Sequence, residues 1–99
     1  AKGHYERATR VAGDHPHPWY NLANVLDDLG QVDAAASAYA AALARDPDFT
    51  DAHFNLALLW EKHGQRGRAE AHWVRVVALE PDGEAAALAR RFLADSTDR

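Results

Sequence analysis

The 99 residues suffice for one domain, and 47% hydrophobic against 26% charged content supports a packed core rather than disorder. A net charge of −4 leaves no concentrated basic face, which excludes nucleic acid as the partner of this segment. Cysteine is absent, which removes disulfides and thiol chemistry, and no run nears the roughly 18 apolar residues that span a membrane.

No apolar leader opens the chain, so the expectation is a cytoplasmic protein. Methionine is missing even at residue 1, which predicts a processed product or a fragment of something longer. Residues 1–12 read as a helix with Tyr5 and Ala8 inward, ended by Gly13-Asp14-His15-Pro16, because Gly supplies a left-handed stop and Pro cannot continue a helix. Pro18 sits early in the next helix, where its missing N–H costs nothing. Trp19, Leu22, Ala23, Leu26 and Leu29 recur at steps of three and four and predict a buried stripe running to Gly30.

Asp33 can cap a second helix to about Arg45. Its run of alanines has two readings, high helix propensity or close helix approach at Ala35 and Ala42. Asp46-Pro47-Asp48 breaks the chain, and Thr50 is an N-cap candidate for a third helix ending near His63, with Phe54, Leu56, Ala57 and Trp60 inward. Residues 64–67 turn the chain. A fourth helix follows from Arg68 to Glu80, with Ala69, Trp73, Val76 and Val77 inward, and Pro81 stops it. Asp82 caps a last helix through about Ala94, and residues 95–99 should fray.

The elements repeat. Gly30 recurs as Gly64 and Pro47 as Pro81, both 34 residues on. The same offset carries Asn21 to Asn55, Leu22 to Leu56, Ala23 to Ala57, Ala35 to Ala69 and Tyr39 to Trp73. It also carries Tyr5 to Tyr39 and Ala8 to Ala42, so the chain opens on a second helix. Two helices per period of this length signal stacked hairpins. The expected fold is an all-α, right-handed α-solenoid of antiparallel helix pairs. It comprises a half repeat at 1–13, full repeats at 16–49 and 50–83, a capping helix at 84–94 and a frayed tail at 95–99, all in one domain. Leu56 and Ala57 map onto Arg90 and Arg91, which would bury unpaired charge under a further helix, so the last helix reads as a polar-backed cap.

At these residues the chain resembles the tetratricopeptide repeat family. Trp19, Leu22, Ala23, Gly30, Ala35, Tyr39, Ala42 and Pro47 match that family's signature, and Leu56, Ala57, Gly64, Ala69 and Pro81 match it again. His53 departs from the leading Trp, Trp60 from a usual Tyr and Val76 from a usual small residue. The resemblance implies that the first helix of each unit lines a concave groove for an extended or helical peptide. The residues it places there for peptide binding are Tyr20, Asn21, Asn24 and Asp28, then Phe54, Asn55, Leu58 and Lys62, with Asp27, Glu61, Leu88 and Phe92 alongside. Asparagine amides both donate and accept, which suits them to a peptide backbone. One subclass grips the C-terminal carboxylate of chaperones with basic groove residues. Here Tyr20 stands where such a lysine would be, and Asp27, Asp28 and Glu61 would repel a carboxylate, so acidic chaperone tails should not bind.

Chemistry has little to work with. His15 and His17 flank Pro16 but lack a third ligand nearby, His53 and His63 lie near opposite ends of one helix, and His4 and His72 read as isolated. No His-Glu-x-x-His pattern, phosphate loop or nucleophile elbow occurs. Asp27 and Asp28 are adjacent on a helix and point apart, a poor geometry for paired acid–base work. The expectation is therefore no enzyme, no cofactor and no metal. The function read from the sequence is a protein-interaction scaffold taking a peptide or partner helix. The rivals are self-association through the open face of Tyr5, Ala8 and Val11, or a docking segment of a larger bacterial protein such as a transcription regulator.

Overall fold

The computed structural model describes residues 16–97. The expected half repeat at 1–13, with its Tyr5, Ala8 and Val11 face, lies outside the described residues, as does His15. Within them the chain forms five α-helices and no strand. These are α1 (Pro16–Asp28), α2 (Val32–Arg45), α3 (Thr50–Lys62), α4 (Arg66–Leu79) and α5 (Glu84–Thr97). The chain divides into two compact units, residues 1–52 and 53–99, the division falling inside α3.

In the first unit α1 and α2 pack as a hairpin. Its turn is closed by two bonds that satisfy the carbonyls orphaned at the end of α1. Gln31 N–H donates to Leu26 O at 2.9 Å and Gly30 N–H to Asp27 O at 2.9 Å. This pairing requires a left-handed residue, and Gly30 supplies φ +77°. Leu22, Ala23 and Leu26 from α1 are buried with Ala35, Ala38, Tyr39 and Ala42 from α2. Ala35 and Ala42 are both fully buried, as the close-approach reading of the alanine run requires. Leu29 is a correction: it is 60% exposed, because the chain has already left the helix there to enter the Gly30 turn. Asp33 is another. The cap lies two residues earlier, at Gln31, with no side-chain cap bond, and Asp33 lies in the first turn, where the helix dipole favours a carboxylate.

Asp46 ends α2 in an extended conformation (φ −143°, ψ 92°), as the residue before Pro47 is steered to be. Asp48 N–H donates to Asp46 Oδ1 at 3.1 Å and Phe49 N–H to Asp46 O at 3.1 Å, which turns the chain towards α3. Thr50 is the first helical residue and buried, rather than the flanking cap.

The second unit repeats the devices of the first. Gln65 N–H donates to Trp60 O at 2.8 Å and Gly64 N–H to Glu61 O at 3.2 Å, with Gly64 at φ +75°. Only Gly64 is needed for this turn. Gly67, expected in the link, is already inside α4. The core gathers Ala57, Ala69, Trp73, Val76 and Ala89, with Phe54, Leu58, Trp60, Val77, Phe92 and Leu93 packed on it. Leu59 is fully buried as well, a core position the sequence reading missed. Glu80 before Pro81 is the C-cap of α4 (φ −138°, ψ 70°), its N–H bonding Val76 O as that of Asp46 bonds Ala42 O, and Gly83 N–H donates to Glu80 O at 3.0 Å. Ala87 N–H bonds Gly83 O, so Gly83 rather than Asp82 flanks the start of α5. That helix runs to Thr97, past the expected end at Ala94. Arg90 and Arg91 are exposed, and Arg90 Nη2 donates to Pro81 O at 2.8 Å.

Candidate interaction surface

A helix advances about 100° per residue, so residues four apart form a slowly drifting strip. On α1 that strip is Tyr20, Asn24 and Asp28, with Asn21 beside it; on α3 it is Phe54, Leu58 and Lys62, with Asn55 beside it. The two sets are the same positions, 34 residues apart.

On α1 the strip leaves the core through aromatic contacts. Tyr20 lies 5.0 Å from Phe49 and 6.1 Å from Tyr39, ring centre to ring centre, and His17 lies 5.0 Å from Phe49. The Tyr39 hydroxyl is buried and must find a partner. It donates to Asn24 Oδ1 at 2.6 Å, so Asn24 holds the two helices together as well as bordering the surface. Asn21 and Asp28 are exposed. Arg45 lies over the Trp19 ring at 4.8 Å, which shields the half-buried indole.

On α3 the strip is half core. Phe54 meets Trp73 edge-on at 5.4 Å, and Leu58 packs on the same cluster. Trp73 stacks on Phe92 at 4.8 Å and donates its Nε1–H to Glu61 Oε2 at 3.1 Å. Arg66 Nε sits 3.5 Å from Glu61 Oε1 and its Nη2 3.5 Å from Asp95 Oδ2. Glu61, one position along from the strip, is thus held by the core tryptophan. Asn55 is half-buried and Lys62 exposed. Trp60 lies under the Arg68 guanidinium at 4.9 Å.

One contact corrects the sequence reading outright. His72 is not isolated: its Nδ1 lies 3.0 Å from Nδ1 of buried His53. Burial, and then the charge of His53, lower its pKa to about 4. The signal was present in the repeat register, since both residues replace Trp19 and Ala38 at the same offset. Among the described residues no three His, Cys, Asp or Glu side chains gather to hold a metal ion. Nor is any described helix long and apolar enough to cross a membrane.

Comparison with known proteins gives a consistent result. Residues 20–66 match the family model described as tetratricopeptide repeat. Tetratricopeptide repeat protein 8 of Caenorhabditis elegans is 34% identical over 53 residues, which are 54% of this chain and 10% of that protein. Two crystal structures of MamA superpose with a TM-score of 0.69 each, at 20% and 19% identity. They cover 78% and 81% of this chain, and 47% and 46% of their own chains are matched. At that identity the likeness concerns the fold, an all-α helical repeat. This chain spans a tenth of the curated relative and less than half of either structural neighbour.

Proposed function

Because this chain is of the tetratricopeptide repeat family, we propose that it is a non-catalytic protein-interaction module in which the strip of α1 and the strip of α3 are each offered to a peptide or partner helix. The repeats concerned are 16–49 and 50–83. One observation carries the reading. The polar and aromatic positions Tyr20, Asn21, Asn24 and Asp28 recur as Phe54, Asn55, Leu58 and Lys62 on the first helix of each hairpin. The buried residues of α2 and α4, by contrast, are spent on core contacts. Tyr20 and Phe54 supply apolar anchors already braced from behind by Tyr39 and Trp73. A braced ring loses little conformational freedom on binding. Asn21 and Asn55 read the main chain of the guest, since each amide offers both donors and an acceptor.

The test is the double variant Asn21→Ala/Asn55→Ala, assayed by pull-down against the partner that the parent chain captures. Loss of capture with an unchanged circular dichroism spectrum is the expected result. Undiminished capture removes these strips from the account.

A further inference from the structure

The hairpin register puts three residues of α5 where α3 receives its second helix. Ala57, Trp60 and Glu61 of α3 all meet α4. Ala57 shares a cluster with Ala69, Trp73 and Val76, Trp60 lies under Arg68, and Glu61 accepts the Nε1–H of Trp73. At the repeat offset of 34 the same positions on α5 are Arg91, Ala94 and Asp95. All three are exposed, and with half-buried Leu88 and Phe92 they line an open groove of about 620 Å³. Phe92 is held in place by its stack on buried Trp73. The groove therefore has the placement of a helix seat, on a helix already packed against α4.

The charges decide which helix fits. Asp95 lies 3.5 Å from Arg66 Nη2, Glu61 is held by Trp73 and Arg66, and Arg90 reaches Pro81 O. Arg91, by contrast, makes no hydrogen bond or ion pair among the described residues. In the second hairpin small Ala57 is met by small Ala69. An apolar helix laid on α5 in the same way would cover the Arg91 guanidinium without a partner, which is strongly unfavourable. A helix with a carboxylate at that point pairs the charge, and a guanidinium can grip a carboxylate through two N–H groups.

We propose that the groove on α5 seats an amphipathic helix of another protein, with its apolar side on Leu88 and Phe92 and a carboxylate on Arg91. Arg91 is the selector: it rejects an apolar helix and admits an acidic one. Acid alone does not suffice. A tail without apolar side chains leaves Leu88 and Phe92 uncovered and meets Asp95 one turn from Arg91. This seat does not depend on the strips of α1 and α3.

The probe is a synthetic copy of residues 66–79, the helix that fills the equivalent place on α3. It is held helical by a hydrocarbon staple across positions 67 and 71, which are exposed in α4. One version carries Ala69→Glu and another keeps Ala69, and each is titrated into the nitrogen-15-labelled full chain. The glutamate peptide should shift the amides of residues 88–95 and bind about five-fold more tightly than the alanine peptide, the worth of a partly exposed ion pair. Arg91→Glu, a change at an exposed position that should leave the fold intact, should abolish this preference and transfer it to an Ala69→Lys peptide. Shifts confined to α1 and α3, no shift with either peptide, or a preference that Arg91→Glu leaves unchanged would overturn the proposal. Sedimentation of the chain without peptide supplies the last arm. The parent and Arg91→Glu should sediment alike; self-association that Arg91→Glu dissolves makes a second copy the occupant and refutes the proposal.

Discussion

The hydroxyl of Tyr39 and the indole N–H of Trp73 solve one problem in two ways. Each belongs to a fully buried aromatic at the same position of its hairpin, and each reaches back to the first helix for an acceptor: Asn24 Oδ1 in one case, Glu61 Oε2 in the other. A buried donor without a partner costs more than the bond itself contributes. Tyr39→Phe removes the donor, and its acceptor Asn24 is half-exposed. It should cost about 1 kcal/mol in urea unfolding, the net worth of an ordinary hydrogen bond. Trp73→Ala also removes the ring that Phe54 and Phe92 pack against, and the cavity raises its cost to roughly 3–5 kcal/mol. His72 makes stability depend on pH in a fixed direction. Its folded pKa of about 4 lies below the ordinary histidine value of 6.5, so the unfolded chain binds more protons between the two. Stability should therefore fall as pH drops from 6.5 towards 4, and denaturant midpoints across that range should show a smaller fall in His72→Ala.

At the level of elements, the hairpin turns were the most legible part of the chain. A glycine four residues beyond Leu26, and again four beyond Trp60, needs a left-handed backbone whatever it packs against. Gly30 and Gly64 both have one. A Cβ at either would meet nothing within 4 Å, so the penalty for a side chain is conformational alone. Gly30→Ala and Gly64→Ala should each lower stability by about 1–2 kcal/mol in chemical denaturation, the strain of a left-handed L-residue. Gly67 misled for the opposite reason: composition marks a glycine as a turn residue, while only the hydrogen-bond register tells which glycine the turn uses. Leu29 kept the three-and-four spacing one step after the helix had ended, so its periodicity had no packing behind it. The proline breaks were legible because Pro47 and Pro81 act on the residue before them through local sterics. The full extent of α5 was not, since nothing after Ala94 stops a helix or buries an apolar face.

For the molecule as a whole, charge is distributed unevenly. Residues 16–52 hold six aspartates against one arginine, whereas residues 53–97 hold six acidic and six basic side chains. A partner of the α1 strip therefore meets a negative field, which speeds the approach of basic segments and is screened by salt. Calorimetry should find no binding of acidic C-terminal peptides. A captured partner should associate more slowly at high ionic strength. The candidate strips were legible in the sequence because the repeat fixes which positions share a helix face. The His53–His72 contact was not, because joining residues 19 apart takes the packing of two helices, although their register positions hinted that one departure compensates the other.

The tryptophans fall into the two units unequally, and this gives the protein its own optics. Trp19 is the one indole of residues 1–52 and lies under a guanidinium, whereas Trp73 is sealed in the other core and stacked on Phe92. With Trp60 replaced by phenylalanine, each half would carry a single emitter of distinct environment. Whether the two halves melt as one or in succession then becomes a question for fluorescence, with no added dye.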